Sequence, residues 1–168
     1  SGPLSFCAGS STTLNAGAGF SYYLWSTSET TQTISVNSAG TFTVTVTNAN
    51  SCSGSTSAIT TVNPLPTVSF SGLASSYNVN DPAATLTGSP SGGNCNGPGI
   101  SGNTFTPSTA GVGGPYTITY SFTDGNGCSN SSSQQTTVNN CVMPAQPGTI
   151  STIGGTAKVC PGDTKSYS

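Results

Sequence analysis

Thr41-Phe42-Thr43-Val44-Thr45-Val46-Thr47 alternates polar and apolar residues without a break. Phe42, Val44 and Val46 point one way and the threonines the other, the period-two pattern of a half-buried β-strand. Tyr116-Thr117-Ile118-Thr119-Tyr120-Ser121-Phe122-Thr123 does the same, with Tyr116, Ile118, Tyr120 and Phe122 on one face. Each run ends in a turn cluster followed by a cysteine. The clusters are Asn48-Ala49-Asn50-Ser51 before Cys52 and Asp124-Gly125-Asn126-Gly127 before Cys128. Ten residues on, each reaches a valine in the same tetrapeptide, Thr60-Thr61-Val62-Asn63 and Thr136-Thr137-Val138-Asn139. Both cysteines and both valines are 76 residues apart, so the pattern is an internal repeat.

Shorter strands are predicted at 21–25 and 32–36 in the first unit and at 84–86 and 103–105 in the second. Gly/Pro-rich turns separate them, and no segment has capped helical periodicity. Many short strands at regular spacing predict an all-β chain of tandem antiparallel sandwiches. Proline-containing linkers at 63–66 and 140–144 place the domains at 1–64, 65–140 and 141–168. Three segments look like openings of similar units: Ser5-Phe6-Cys7-Ala8-Gly9, Tyr77-Asn78-Val79-Asn80-Asp81 and Lys158-Val159-Cys160-Pro161-Gly162. A short apolar segment precedes the second (67–70) and the third (149–153), but only Ser1-Gly2-Pro3-Leu4 precedes the first. The first domain is therefore expected to lack its first strand. The C-terminal segment is expected to open a third unit or to add itself to another domain, because a strand without a sheet leaves its backbone groups unpaired. Thr149, Ile150 and Ile153 are the candidate donor residues.

Composition narrows the function classes. Charged residues are 4% of the 168, the net charge is −2 and there is no histidine. That gives no electrostatic footprint for nucleic acid or an anionic membrane. No apolar run approaches the ~18 residues of a membrane span. With no leader and no starting methionine, the chain is expected to be a mature product or a fragment. Without histidine no Ser-His-Asp or Cys-His site can form, and the four acids Glu29, Asp81, Asp124 and Asp163 are scattered. No enzyme and no cofactor is expected.

Six cysteines point to an oxidising compartment. None is close enough to another for a zinc motif. Cys7–Cys52 is the expected bridge of the first unit, with Trp25 packed over it. Cys95 is the partner available to Cys128. Cys141 and Cys160 could bridge each other, or Cys160 could pair beyond Ser168; spacing alone leaves connectivity open.

Four segments carry a family resemblance: Tyr23-Leu24-Trp25-Ser26-Thr27, Ala39-Gly40-Thr41-Phe42-Thr43-Val44, Gly97-Pro98-Gly99-Ile100-Ser101-Gly102-Asn103-Thr104-Phe105 and Asp124-Gly125-Asn126-Gly127-Cys128. With them the chain resembles the bacterial immunoglobulin-like (Ig-like or PKD-like) tandem repeats of secreted Bacteroidetes surface proteins and gliding-type adhesins. Asn78 stands where such repeats often carry cysteine. The resemblance implies export, a sandwich fold, and a stalk or adhesive role, with adjacent immunoglobulin-like domains as partners.

Three functions follow as expectations. The first is a structural or adhesive segment of a cell-surface or secreted array. The second is a filament subunit joined head-to-tail to copies of itself by strand addition. The third is a carbohydrate-binding accessory module, with Tyr22 and Tyr23 as the candidate contacts to surface glycans. Asp124-Gly125-Asn126-Gly127 reads as a turn needing positive φ rather than a calcium loop.

Overall fold

A computed structural model describes residues 2–140. By packing, the chain divides into two units. Of the described residues, the first takes in those up to Pro66 together with Thr123–Ser129, and the second takes in Thr67–Phe122 together with those from Asn130 to Asn140. The short segment 123–129 packs with the first unit, which no linker composition announces.

The first sandwich is built from β1 (Ser5–Cys7), β2 (Thr12–Asn15), β3 (Tyr22–Trp25), β4 (Thr33–Val36), β5 (Gly40–Thr47) and β6 (Ser53–Asn63). One sheet has the order β1-β6-β5-β3, and β2 and β4 form the other. The β5–β6 hairpin is antiparallel from Gly40↔Thr60 to Thr47↔Ser53. Alternation on β5 buries Phe42 and Val44 between the sheets, against Leu14, Trp25, Ile34 and Val36. Trp25 is core, and its indole Nε1 donates to Thr31 O at 2.8 Å. The expected Cys7–Cys52 bridge does not lie beneath it, because Cys52 is a free thiol.

The second sandwich contains β7 (Ser69–Ser71), β8 (Ser76–Asn78), β9 (Ala84–Thr85), β10 (Thr87–Ser89), β11 (Asn94–Asn96), β12 (Ile100–Ser101), β13 (Thr104–Phe105), β14 (Gly113–Thr123) and β15 (Ser129–Asn139). Its larger sheet runs β11-β14-β15-β8. Facing it are β12-β13-β9 and the β10-β7 pair. Phe70, Leu86, Phe105, Ile118, Tyr120 and Val138 fill the space between. A single helical turn, α1 (Pro107–Ala110), was not anticipated. It has proline in its first turn and no side-chain cap, and four residues are too few to show a 3.6-residue period.

The architecture is all-β, a pair of immunoglobulin-like sandwiches. One detail departs from a purely antiparallel plan. β1 pairs parallel with β6 (Phe6↔Val62) and β8 pairs parallel with β15 (Tyr77↔Val138). The two edge strands are equivalent bond for bond: Thr61 N–H donates to Leu4 O as Thr137 N–H donates to Ser75 O, and Ala8 N–H to Asn63 O as Val79 N–H to Asn139 O. The first sandwich therefore has its opening edge strand. What it lacks, among the described residues, is a counterpart of β7. The expected strand at 149–153 lies outside the described residues.

Candidate functional site

The chemistry of this chain lies in its thiols, its hydroxyls and one apolar cleft. Cys7 is bonded to Cys128, with a Cα–Cα distance of 5.5 Å and a sequence separation of 121. Cys52 and Cys95 are free thiols. The expected pairs Cys7–Cys52 and Cys95–Cys128 are thus both replaced. A cystine needs its Cα atoms within about 7 Å. Cys7 pairs with Asn63 at the end of β6, whereas Cys52 sits just before its start. Eleven strand residues put about 35 Å between them. Cys95 lies opposite Tyr120 on β11, and Cys128 lies beyond Thr123 toward β15, on the other side of β14. That is about 10 Å along the strands and about 10 Å across them. Cys141 and Cys160 lie outside the described residues.

The two free thiols differ. Cys52 is exposed, while Cys95 packs partly into the second core, where burial raises its pKa above the ordinary thiol value. The turns that hold Cys52 and Cys128 match closely. Asn48 Oδ1 accepts the N–H groups of Asn50 and Cys52 at 2.9 and 3.0 Å, and Asp124 Oδ1 accepts those of Asn126 and Cys128 at 2.9 Å each. The positive φ falls on Ser51 in one turn and Gly127 in the other. Asp124 thus spends an oxygen on its own turn, and no cluster of three metal-ligating side chains occurs among the described residues.

The outward threonines bond across the hairpins. Thr43 Oγ1 meets Ser57 Oγ at 2.8 Å and Thr47 meets Ser53 at 2.9 Å. Thr119–Ser133 and Thr123–Ser129 repeat the arrangement at 2.8 and 2.7 Å. Charge-free cross-strand pairs of this kind add a few tenths to 1 kcal/mol each.

The two candidate glycan contacts are not brought together. Tyr22 and Leu24 are exposed on the outer face of β3. Tyr23 turns the other way, donates its hydroxyl to Gly17 O at 2.9 Å and meets the Phe20 ring edge-on at 6.0 Å. Strand alternation forbids a shared platform.

Sequence reasoning missed an open cleft of about 460 Å³ in the first sandwich. Ala16, Val44, Val46, Gly54 and Thr56 line it, with Phe20 and Cys52 at its walls. Its signal was the small or polar residue at Gly54 and Thr56 of β6.

No family model matches the chain, and no curated protein does. Among solved structures it is similar to murine CEACAM1b, with a TM-score of 0.33 and 12% identity over 81% of this chain and 96% of that one. It is also similar to the insect immune protein hemolin, a structure described as having implications for homophilic adhesion, with a TM-score of 0.35 and 13% identity. That match covers 83% of this chain and 45% of hemolin.

Proposed function

We propose that the chain is a non-enzymatic segment of an extracellular structural or adhesive protein, one that spaces or displays other parts under load. The observation that carries this is the Cys7–Cys128 bond. A load applied outside those two residues passes through the bond and leaves the intervening chain slack. Low charge, paired surface hydroxyls and dependence on a cystine also suit an oxidising exterior. Adjacent immunoglobulin-like domains are the proposed partners in a longer array. Surface glycans are a less favoured ligand class, because Tyr22 stands without Tyr23 on its face.

Single-molecule stretching tests the proposal, with handles at the two chain ends. Under oxidising conditions residues 8–127 should contribute no extension. Under reducing conditions a further gain of about 400 Å should appear, at roughly 3.3–3.6 Å per residue. Equal extension in both conditions contradicts the load-bearing role.

A further inference from the structure

The β5–β6 turn and the β14–β15 turn are one structure built twice. Residues 47–53 and 123–129 share the 76-residue offset, and four positions are identical: Thr47 and Thr123, Asn50 and Asn126, Cys52 and Cys128, Ser53 and Ser129. Asn48 N–H donates to Cys52 O at 3.0 Å as Asp124 N–H donates to Cys128 O at 2.9 Å. Ser51 N–H donates to Asn48 O and Gly127 N–H to Asp124 O, both at 3.1 Å. The turns differ in what their cysteines meet. Cys128 is fully buried and bonded to Cys7, while Cys52 is exposed and free. One of two equivalent turns thus shows what its cysteine bonds to.

The partner in the filled turn has its own signature. Cys7 is the last residue of β1, in register with Asn63 on β6. Ala8 N–H donates to Asn63 O at 2.8 Å and Ser10 N–H donates to Cys7 O at 3.0 Å. Gly9 supplies the positive φ, 84°, that lets the chain turn directly after the cysteine. The sequence behind this is Phe6-Cys7-Ala8-Gly9: an apolar residue, cysteine, any residue, glycine. It recurs as Val159-Cys160-Pro161-Gly162. The second sandwich puts Asn78 at the matching place, in register with Asn139, so its opening strand offers no thiol there. Cys7 and Cys160 are thus opening cysteines, and Cys52 and Cys128 are turn cysteines. Cys7 and Cys128 take each other, which leaves one of each kind, Cys52 and Cys160.

We propose that Cys52 is a covalent docking site for Cys160 of a second copy of this chain, joining copies through a bond of the same kind as Cys7–Cys128. The second copy is assigned by chain order. In the Cys7–Cys128 pair the opening cysteine precedes the turn cysteine, whereas Cys160 follows Cys52 within one chain. Bond formation removes two electrons, and a low-molecular-weight disulfide such as oxidised glutathione takes them. The Cys52 thiolate attacks one of its sulfurs, the S–S bond breaks and one glutathione leaves. The Cys160 thiolate then attacks Cys52 Sγ in the mixed disulfide, and the second glutathione leaves. Two protein thiols are oxidised and one small disulfide is reduced. Because turn and opening are different surfaces of one molecule, the contact is heterologous and extends as an open head-to-tail series. The proposal rests on the oxidising exterior proposed above and names a partner for the array. Stretching of a single chain reads the Cys7–Cys128 bond alone, so the two fail separately.

The full chain, purified with Cys52 free and then concentrated in a glutathione redox buffer, should give a ladder of multimers on a non-reducing denaturing gel. Dithiothreitol should collapse it. Peptide mapping of the ladder should yield a Cys52–Cys160 cross-link with Cys7–Cys128 intact. Cys52→Ser and Cys160→Ser should each abolish the ladder, and Cys95→Ser should leave it unchanged. The two single variants, mixed, should form a dimer and nothing larger, because each supplies one half of one bond. A synthetic peptide of residues 156–164 should bond to Cys52 in preference to a scrambled peptide of the same residues. A chain that stays monomeric at every concentration overturns the proposal, as does a ladder joined through Cys95 or Cys141. A Cys52–Cys160 bond confined to monomers overturns the second copy as its source. A scrambled peptide that bonds Cys52 equally well marks a reactive thiol without a docking partner, and overturns the proposal too.

Discussion

At the scale of single residues the two sandwiches act as controls for each other. Thr60 and Thr136 occupy equivalent buried positions. Thr60 Oγ1 donates to Ser38 O at 2.7 Å, while Thr136 Oγ1 has no hydrogen-bond partner among the described residues. Thr60→Val should therefore cost about 1 kcal/mol of unfolding free energy, and Thr136→Val should be neutral or stabilising. Equal losses in urea titrations would contradict this. Ser51, with φ 62°, holds a conformation that Gly127 holds freely in the other turn. Ser51→Gly should stabilise the chain by roughly 0.5–1 kcal/mol, since a Cβ is disfavoured at that φ. The thiols make a third contrast. Near neutral pH the half-buried Cys95 should be alkylated more slowly than Cys52, and its rate should keep rising at higher pH, because burial holds its thiol protonated past the ordinary range. Comparable rates at both sites would place Cys95 outside the second core.

At the scale of elements, β5 and β14 were legible, as were the shorter β3, β4, β9 and β13, while β2 and β11 were not. β5 and β14 declare themselves because period-two alternation over seven or eight residues has no competing explanation. β2 carries one large apolar residue, Leu14, in four, and β11 carries only Cys95 between asparagines. Neither has enough pattern to be read without a partner strand. β7 was visible through Val68 and Phe70, and its weight can be measured. Phe70→Ala should cost about 3–5 kcal/mol, the range for a fully packed aromatic. Gly88→Ala should also destabilise, because a Cβ there would overlap the Tyr120 ring. A Gly88→Ala chain as stable as wild type would mean that Tyr120 does not fill the space opposite β10.

At the scale of the whole molecule, the cysteine network was the part the sequence hid. A chain reading can see that Cys7 opens a unit and that Cys52 and Cys128 end equivalent turns. It cannot see that β6 puts Cys7 and Cys52 at opposite ends of one sheet, because that distance exists only once β1 has chosen the far end of β6 as its partner. The segment 123–129 belongs by packing to the first unit, and Cys128 goes with it. The bond should matter for stability as well as for load. Cys7→Ser should cost about 2–4 kcal/mol, with the long closed loop favouring the upper part of that range. Peptide mapping of the non-reduced protein examines the central claim most directly. A cross-linked pair containing Cys7 and Cys128, with Cys52 and Cys95 recovered as free thiols, is the expected result. A Cys7–Cys52 or Cys95–Cys128 peptide would contradict it and remove the force path on which the proposed role depends.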